Sequence, residues 1–206
     1  GRMGKTISAC IEDTEGVSIA GGTESPGHFA IGSDLGEFTG IGKKEISIVE
    51  NIETALIDSD VIIDFTTPES SLKTLDAAVS CKKSVVIGTT GFSTEQKQNI
   101  AQAAEKIRCV FAPNMSIGVN VLFKIVEDVS KALGDAYDVE IMEAHHKFKK
   151  DAPSGTAVRL SEIIADSLDR DINDVGVYGR KGMTKRTSKE IGIHTISAGD
   201  IEGEHQ

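Results

Sequence analysis

The densest group of chemically capable residues in the chain is the stretch Glu143-Ala144-His145-His146-Lys147-Phe148-Lys149-Lys150-Asp151-Ala152-Pro153-Ser154-Gly155-Thr156. It holds two of the five histidines and three lysines within four residues, in a chain whose formal net charge is −10. A run of charge, taken alone, reads as a solvated face. Here, however, Ser154-Gly155-Thr156 opens a helix pattern, whose first backbone N–H groups could hold an anion. Lysines, imidazoles and a helix N-terminus together suit a small carboxylate-bearing molecule. Adjacent strand residues point to opposite faces, so His145 and His146 can share one site only where a strand ends. His145, His146 and Asp151 lack metal-ligand spacing and no cysteine lies nearby, so no metal is expected.

A second group lies in the first half of the chain. Gly1-Arg2-Met3-Gly4 fits the tail of a glycine-rich dinucleotide loop, in which a helix N-terminus approaches a pyrophosphate. The same residues read equally as an ordinary helix start. Glu24 follows roughly 20 residues on, at the carboxyl end of the next strand, where an acid can accept hydrogen bonds from a ribose. A solvated loop carboxylate is the plainer reading of Glu24 alone. Gly88-Thr89-Thr90-Gly91 and Ala112-Pro113-Asn114-Met115-Ser116 also fall at strand carboxyl ends. Each is an ordinary turn in isolation, but open α/β sheets bind ligands at that edge.

The elements that must position these residues alternate in type. Strand-like 17–23, 61–65, 84–87 and 109–112 are separated by helix patterns over 51–59, 67–79 and 94–106, while 28–45 reads as an ordered loop. Thr67 and Pro68 suit the cap and first turn of their helix. Short apolar strands alternating with helices signal βαβ units in a parallel sheet, with helices on both faces. After Pro113 the texture changes to a long helix stripe over 119–133, an alternating strand over 137–144, a helix from 155 to 168, and strands near 175–177 and 191–198. The expected architecture is therefore α/β. A Rossmann-type parallel-sheet nucleotide domain spans 1–116, and an α+β domain with an open mixed sheet spans 117–206.

Composition narrows the function. Hydrophobic residues at 39% and charged residues at 26% are ordinary for a globular chain. No apolar run approaches the roughly 20 residues that span a bilayer, so no membrane association is expected. With 32 acidic against 22 basic residues the chain lacks the basic face of a nucleic-acid binder. Cys10, Cys81 and Cys109 have neither CxxC spacing nor an even count, which points to a reducing cytoplasm. Both ends, at Gly1 and at Gln206, read as cuts within a longer protein.

Glu143-Ala144-His145-His146, Lys149 and Asp151-Ala152-Pro153-Ser154-Gly155-Thr156-Ala157 closely resemble the signature of the dihydrodipicolinate reductases. Further landmarks run the length of the chain, at Asp64-Phe65-Thr66, Gly88-Thr89-Thr90-Gly91-Phe92, Asn114 to Asn120, and Gly199 to His205. The resemblance implies NADH- or NADPH-dependent reduction of 4-hydroxy-tetrahydrodipicolinate, a cyclic dicarboxylate, in the diaminopimelate route to lysine. It implies a general acid/base at His145 and a second proton donor at Lys149. Substrate contacts are implied at His146, Gly155 and Thr156. Cofactor contacts are implied at Gly1, Arg2 and Met3, at Glu24 for the ribose, and at Gly88, Thr89, Thr90, Ala112, Pro113, Asn114 and Met115 for the nicotinamide end. It further implies a homotetramer built through the second domain, and a first strand and a C-terminal segment beyond the present ends.

Three positions depart from that pattern. Ser25 stands where many relatives carry a base, which weakens the clamp for a 2′-phosphate and favours NADH. Lys147 and Phe148 stand where close relatives often have Arg and His, a change that tunes affinity. Two rival readings remain at this level. One is another nicotinamide-dependent dehydrogenase of similar build; the other is a nucleotide-binding regulator without catalysis. A chain short of its first strand would also expose sheet edges that favour aggregation and could be inactive as it stands.

Overall fold

The computed structural model describes residues 1–206, which form two compact units, Gly1–Ala112 and Pro113–Gln206. The first unit runs α1 (Arg2–Glu12), β1 (Gly22–Thr23), α2 (Leu35–Thr39), β2 (Ile48–Val49), α3 (Ile52–Ala55), β3 (Val61–Asp64), α4 (Pro68–Cys81), β4 (Ser84–Ile87), α5 (Thr94–Ala104) and β5 (Cys109–Phe111). Every strand pair in it is parallel, β1 with β2 and then β3-β4-β5. Local chemistry fixes the helix starts. Thr67 caps α4 with Pro68 in its first turn, and Ser93 closes a reciprocal capping box with Gln96 on α5.

Three expectations for this unit change. The 28–45 loop contains the single-turn helix α2, capped by Asp34 and ended by Gly40 at φ 90°. One turn is too short to show a periodic pattern, so only its caps announce it. The strand foreseen over 17–23 narrows to Gly22–Thr23, because β2 pairs with it at only two positions. Among residues 1–206, helices cover one face of the β3-β4-β5 sheet. Leu75 and Ala78 of α4 and Ile100 and Ala103 of α5 bury Val85 and Ile87. On the opposite face Val61, Ile63 and Val110 are exposed. A run of apolar residues thus marks the strand without showing that both its faces are packed.

The second unit runs α6 (Ile117–Leu133), a 3₁₀ turn at Gly134–Ala136, β6 (Val139–His145), α7 (Gly155–Ser167), α8 (Ile172–Val175), β7 (Gly176–Tyr178), β8 (Ile191–Ser197) and β9 (Glu204–His205). Its mixed sheet has the order β7-β8-β6-β9, with only β9 antiparallel. Phe123 of α6 and Ala157, Leu160 and Ile164 of α7 pack on Ile141, Ile191 and Ile193 of the sheet. Alternation along β6 then sends Ile141, Glu143 and His145 to this helix-covered side, and Glu140 and Met142 to the other. The architecture is a parallel, Rossmann-like α/β unit followed by an α+β unit with an open mixed sheet.

Candidate active site

In the second unit β6 ends at His145, and the motif residues gather around that end. His145 is 7% exposed and points to the helix side, while His146 continues into a turn and accepts a hydrogen bond on Nδ1 from the Phe148 N–H. The two imidazoles thus part at the strand end. Lys149 turns back through its N–H, which donates to the His146 carbonyl. Its ammonium lies 2.8 and 2.9 Å from the two carboxylate oxygens of Asp151. Burial would raise the Asp151 carboxyl, but Lys149 holds it below the usual carboxylate range.

The chain then passes a cis Ala152–Pro153 bond and enters α7. Ser154 caps that helix, its hydroxyl accepting from the Ala157 N–H at 3.1 Å. Gly155 and Thr156 are the first two helical residues, and their N–H groups have no intrahelical acceptor. The Thr156 hydroxyl accepts from the Asn114 side-chain amide at 3.3 Å, and Asn114 in turn receives the Ser116 N–H. Asn114, expected at the nicotinamide end, is thereby tied to a residue expected to hold substrate.

Beneath this group lies Glu143, 2% exposed. Its Oε1 accepts from the Ser154 N–H and from the Thr195 hydroxyl, both at 2.8 Å. Burial alone would raise its carboxyl, yet Ser154 and Thr195 hold it below the ordinary value, so it is a buried anion. His205 of β9 adds a third polar group, 3.0 Å from the Ser154 hydroxyl. Burial pushes the His205 imidazole below its ordinary value, with the Glu143 charge pulling the other way. Glu143 and His205 stand in the segments that carry the resemblance, but nothing in their spacing shows that the 61 intervening positions fold back to bring them together with His145. One donor atom each from Glu143, His145 and His205 lies within 4.8 Å of the others. A carboxylate and a second imidazole thus approach His145 from elsewhere in the chain, which the spacing within the motif does not show.

In the first unit, α1 starts at Arg2 with Gly1 at its cap, and a β-carbon at Gly1 or Gly4 would meet only open space. The Glu24 carboxylate lies 3.2 Å from the Gly1 nitrogen and accepts the Ser25 N–H at 3.3 Å. Helix start and acid thus converge, as a ribose and pyrophosphate would require. Arg2 and Met3 are exposed there. At the β4 end, a β-carbon on Gly88 would run into the Phe65 ring, so this loop passes close over β3. Thr89 turns inward. Its hydroxyl lies within reach of Asp64, Ser71 and the Thr66 N–H, so the side chain supports the loop. Thr90 is exposed beside it, and Ala112, Pro113 and Met115 follow β5.

Comparison with known proteins gives the family. The family descriptions "Dihydrodipicolinate reductase, N-terminus" and "Dihydrodipicolinate reductase, C-terminus" match residues 1–115 and 118–206. The chain belongs to the dihydrodipicolinate reductase family. It is 50% identical to the 4-hydroxy-tetrahydrodipicolinate reductase of Geotalea daltonii over all of its 206 residues, which span 77% of that relative. Identity to the reductases of Hahella chejuensis and Syntrophus aciditrophicus is 50% and 47% over the same shares. Among solved structures, a dipicolinate-bound dihydrodipicolinate reductase from Paenisporosarcina sp. TG-14 superposes with a TM-score of 0.68 at 28% identity, covering all of this chain and 78% of that one.

Proposed function

We infer that this chain carries out the reduction of 4-hydroxy-tetrahydrodipicolinate to tetrahydrodipicolinate with NADH or NADPH, the reductive step on the diaminopimelate route to lysine. The observation that carries this reading is the gathering of His145, the Lys149–Asp151 pair and the α7 N-terminus at the end of β6, in a chain of this family. Residues 1–116 are read as the dinucleotide domain and 117–206 as the substrate and assembly domain. Glu24 beside the start of α1 fits the ribose acid of a dinucleotide site.

The substrate is a ring with two carboxylates and an imine. The N–H groups of Gly155 and Thr156 grip one carboxylate and orient the ring, with His146 as a second polar contact. Loss of the 4-hydroxyl as water leaves a conjugated ring. The reduced nicotinamide, when bound, supplies hydride to ring C4. The enamine so formed takes a proton at C3, and His145 is the residue placed to supply it, since imidazole exchanges protons near neutral pH. Lys149, held by Asp151, stabilises charge at the ring nitrogen. Gly1, Arg2, Met3 and Glu24 hold the pyrophosphate and ribose, and the backbone of Gly88–Thr90 and Ala112–Met115 lines the nicotinamide end. With Ser25 after the ribose acid, a 2′-phosphate has no arginine or lysine there, so NADH is the expected donor.

No helix is long and apolar enough to cross a membrane, and the three free thiols suit a reducing cytoplasm. The uncovered face of the mixed sheet, with Met142 and Ile196 exposed, is read as the surface through which four copies assemble.

The test supplies the ring by coupling pyruvate and aspartate semialdehyde through the preceding synthase and follows nicotinamide absorbance. Substrate-dependent oxidation of NADH at least as fast as of NADPH is expected, with Ser25→Arg improving NADPH selectively. A folded, NADH-binding protein that oxidises neither would overturn the reading in favour of a nucleotide-binding regulator.

A further inference from the structure

Glu143 Oε2 and His145 Nδ1 are both buried without a hydrogen-bond partner, although they face each other at 3.7 Å. His205 Nε2 lies 3.4 Å from the same carboxylate oxygen. Their side chains are 0%, 9% and 18% exposed, respectively. Two orphaned atoms cost free energy in a dry site unless something pairs them. The spacing is also informative. Ligand atoms of a tetrahedral zinc ion, with bonds of about 2.0–2.1 Å, stand about 3.3 Å apart, close to the two measured separations. The donor chemistry agrees: one carboxylate, whose other oxygen is held by the Ser154 N–H and the Thr195 hydroxyl, and two imidazoles.

We propose that Glu143, His145 and His205 form a binding site for a divalent transition-metal ion of the Zn²⁺ class, and that occupation of this site withdraws His145 from proton transfer. The ion would take Glu143 Oε2, His145 Nδ1 and His205 Nε2, the last exchanging its 3.0 Å contact with the Ser154 hydroxyl for the metal, with water in the fourth position. It would neutralise the buried carboxylate and satisfy both orphaned atoms at once. The metal is thus an inhibitor and not a participant in the reaction. The inhibitory consequence rests on the role given to His145 above, but the binding does not.

The test titrates Zn²⁺ alone into the purified protein by calorimetry in a non-coordinating buffer, with Co²⁺ as a spectroscopic reporter of tetrahedral geometry. His205→Ala should weaken the ion by more than the about 10- to 100-fold that loss of an outer-shell partner costs. His146→Ala, which removes a neighbouring imidazole outside the cluster, should leave affinity within about twofold. Circular dichroism establishes that each variant is folded, and His205→Gln provides a second removal of the ligand if the alanine variant is not. Equal affinity in wild type and a folded His205 variant would overturn the site, as would a loss confined to His146→Ala or cobalt spectra dominated by thiolate. In the reductase assay, Zn²⁺ should inhibit reversibly, with EDTA restoring the rate and His205→Ala resisting. Binding without any reductase activity would sink the functional reading and leave the metal site standing.

Discussion

Gly203 lies against His145: a β-carbon at position 203 would come within 3.3 Å of the imidazole Nε2 and 3.4 Å of Cδ2. The chain segment that leads into β9 therefore forms one wall around the ring, opposite the Glu143 carboxylate that faces Nδ1. Gly203 does not have a positive φ, so its backbone would accept alanine. What glycine supplies at this position is room for the imidazole.

Gly203→Ala should leave the fold intact and shift His145 by a few tenths of an ångström. Displacement of a reacting group on that scale lowers turnover, here by roughly 3- to 10-fold, since an error of about 1 Å can cost 10²-fold. Steady-state kinetics should show the loss in kcat, with KM for the nicotinamide nucleotide unchanged. A variant as active as wild type would mean that the ring has slack and that the contact does not position it.

Lys149→Ala should reduce kcat by roughly 10²- to 10³-fold, the range for removing an electrostatic or proton-donating group from a reacting centre. The dissociation constant for NADH, measured by fluorescence, should stay within about twofold. Asp151→Asn keeps the ammonium but weakens the pair that fixes it, so a smaller loss in kcat is expected. Parallel losses in turnover and nucleotide binding would make Lys149 a structural residue instead.

Much of this site is legible along the chain because its parts are local. His145, Lys149, Asp151 and Ser154 lie within ten positions, and the cap serine before Gly155 marks where α7 begins. The strands and helices of the first unit are legible for the same reason, since each cap and each apolar run is a short-range signal. The Glu143–His145–His205 cluster is not, because it depends on β9 pairing beside β6, and antiparallel pairing of a two-residue strand leaves no periodic trace. Thr89 shows a different limit. Its position at a strand end is readable, but a threonine side chain turned inward toward Asp64 has the same sequence as one turned toward a ligand. The open faces of both sheets are hidden likewise, since burial of an apolar strand depends on helices elsewhere in the chain.

The inward Thr89 carries a stability prediction. Asp64 Oδ1 lies 3.0 Å from the Thr66 N–H and 2.7, 2.9 and 3.1 Å from the hydroxyls of Thr66, Ser71 and Thr89, all around a carboxylate that is 4% exposed. Thr89→Val keeps the shape and removes the one hydroxyl that also receives the Thr66 N–H at 2.8 Å. The Thr66 N–H keeps its bond to Asp64, but the buried Asp64 carboxylate loses the Thr89 hydroxyl as a donor, at a cost of about 1–3 kcal/mol. Thermal or urea unfolding should show the loss, whereas Thr90→Val at the exposed neighbouring position should be nearly neutral. Equal stability of the two variants would mean that water replaces the lost hydroxyl.

Acid stability should centre on Glu140, on the uncovered side of the mixed sheet. Its carboxylate lies 2.8 Å from Arg180, 3.0 Å from Arg186 and 2.8 Å from His194, above Gly192, where any β-carbon would run into it. Burial would raise its carboxyl, but hydrogen bonds from His194, Arg186 and Arg180 carry it from 4.5 down to about 2. Because the folded value is depressed, the stabilisation is fully present above the unfolded value of 4.5. It is lost as pH falls from there through about 2. The side chain is 36% exposed, so solvent screening reduces the contribution to roughly 1 kcal/mol. Glu140→Gln should therefore lower the melting temperature at pH 7 and lose less on going to pH 3 than wild type does. Parallel curves for the two proteins across that range would mean that the acid limb of stability is set by other carboxylates, and that the Arg180–Glu140–Arg186 group is held together by the fold without contributing to it.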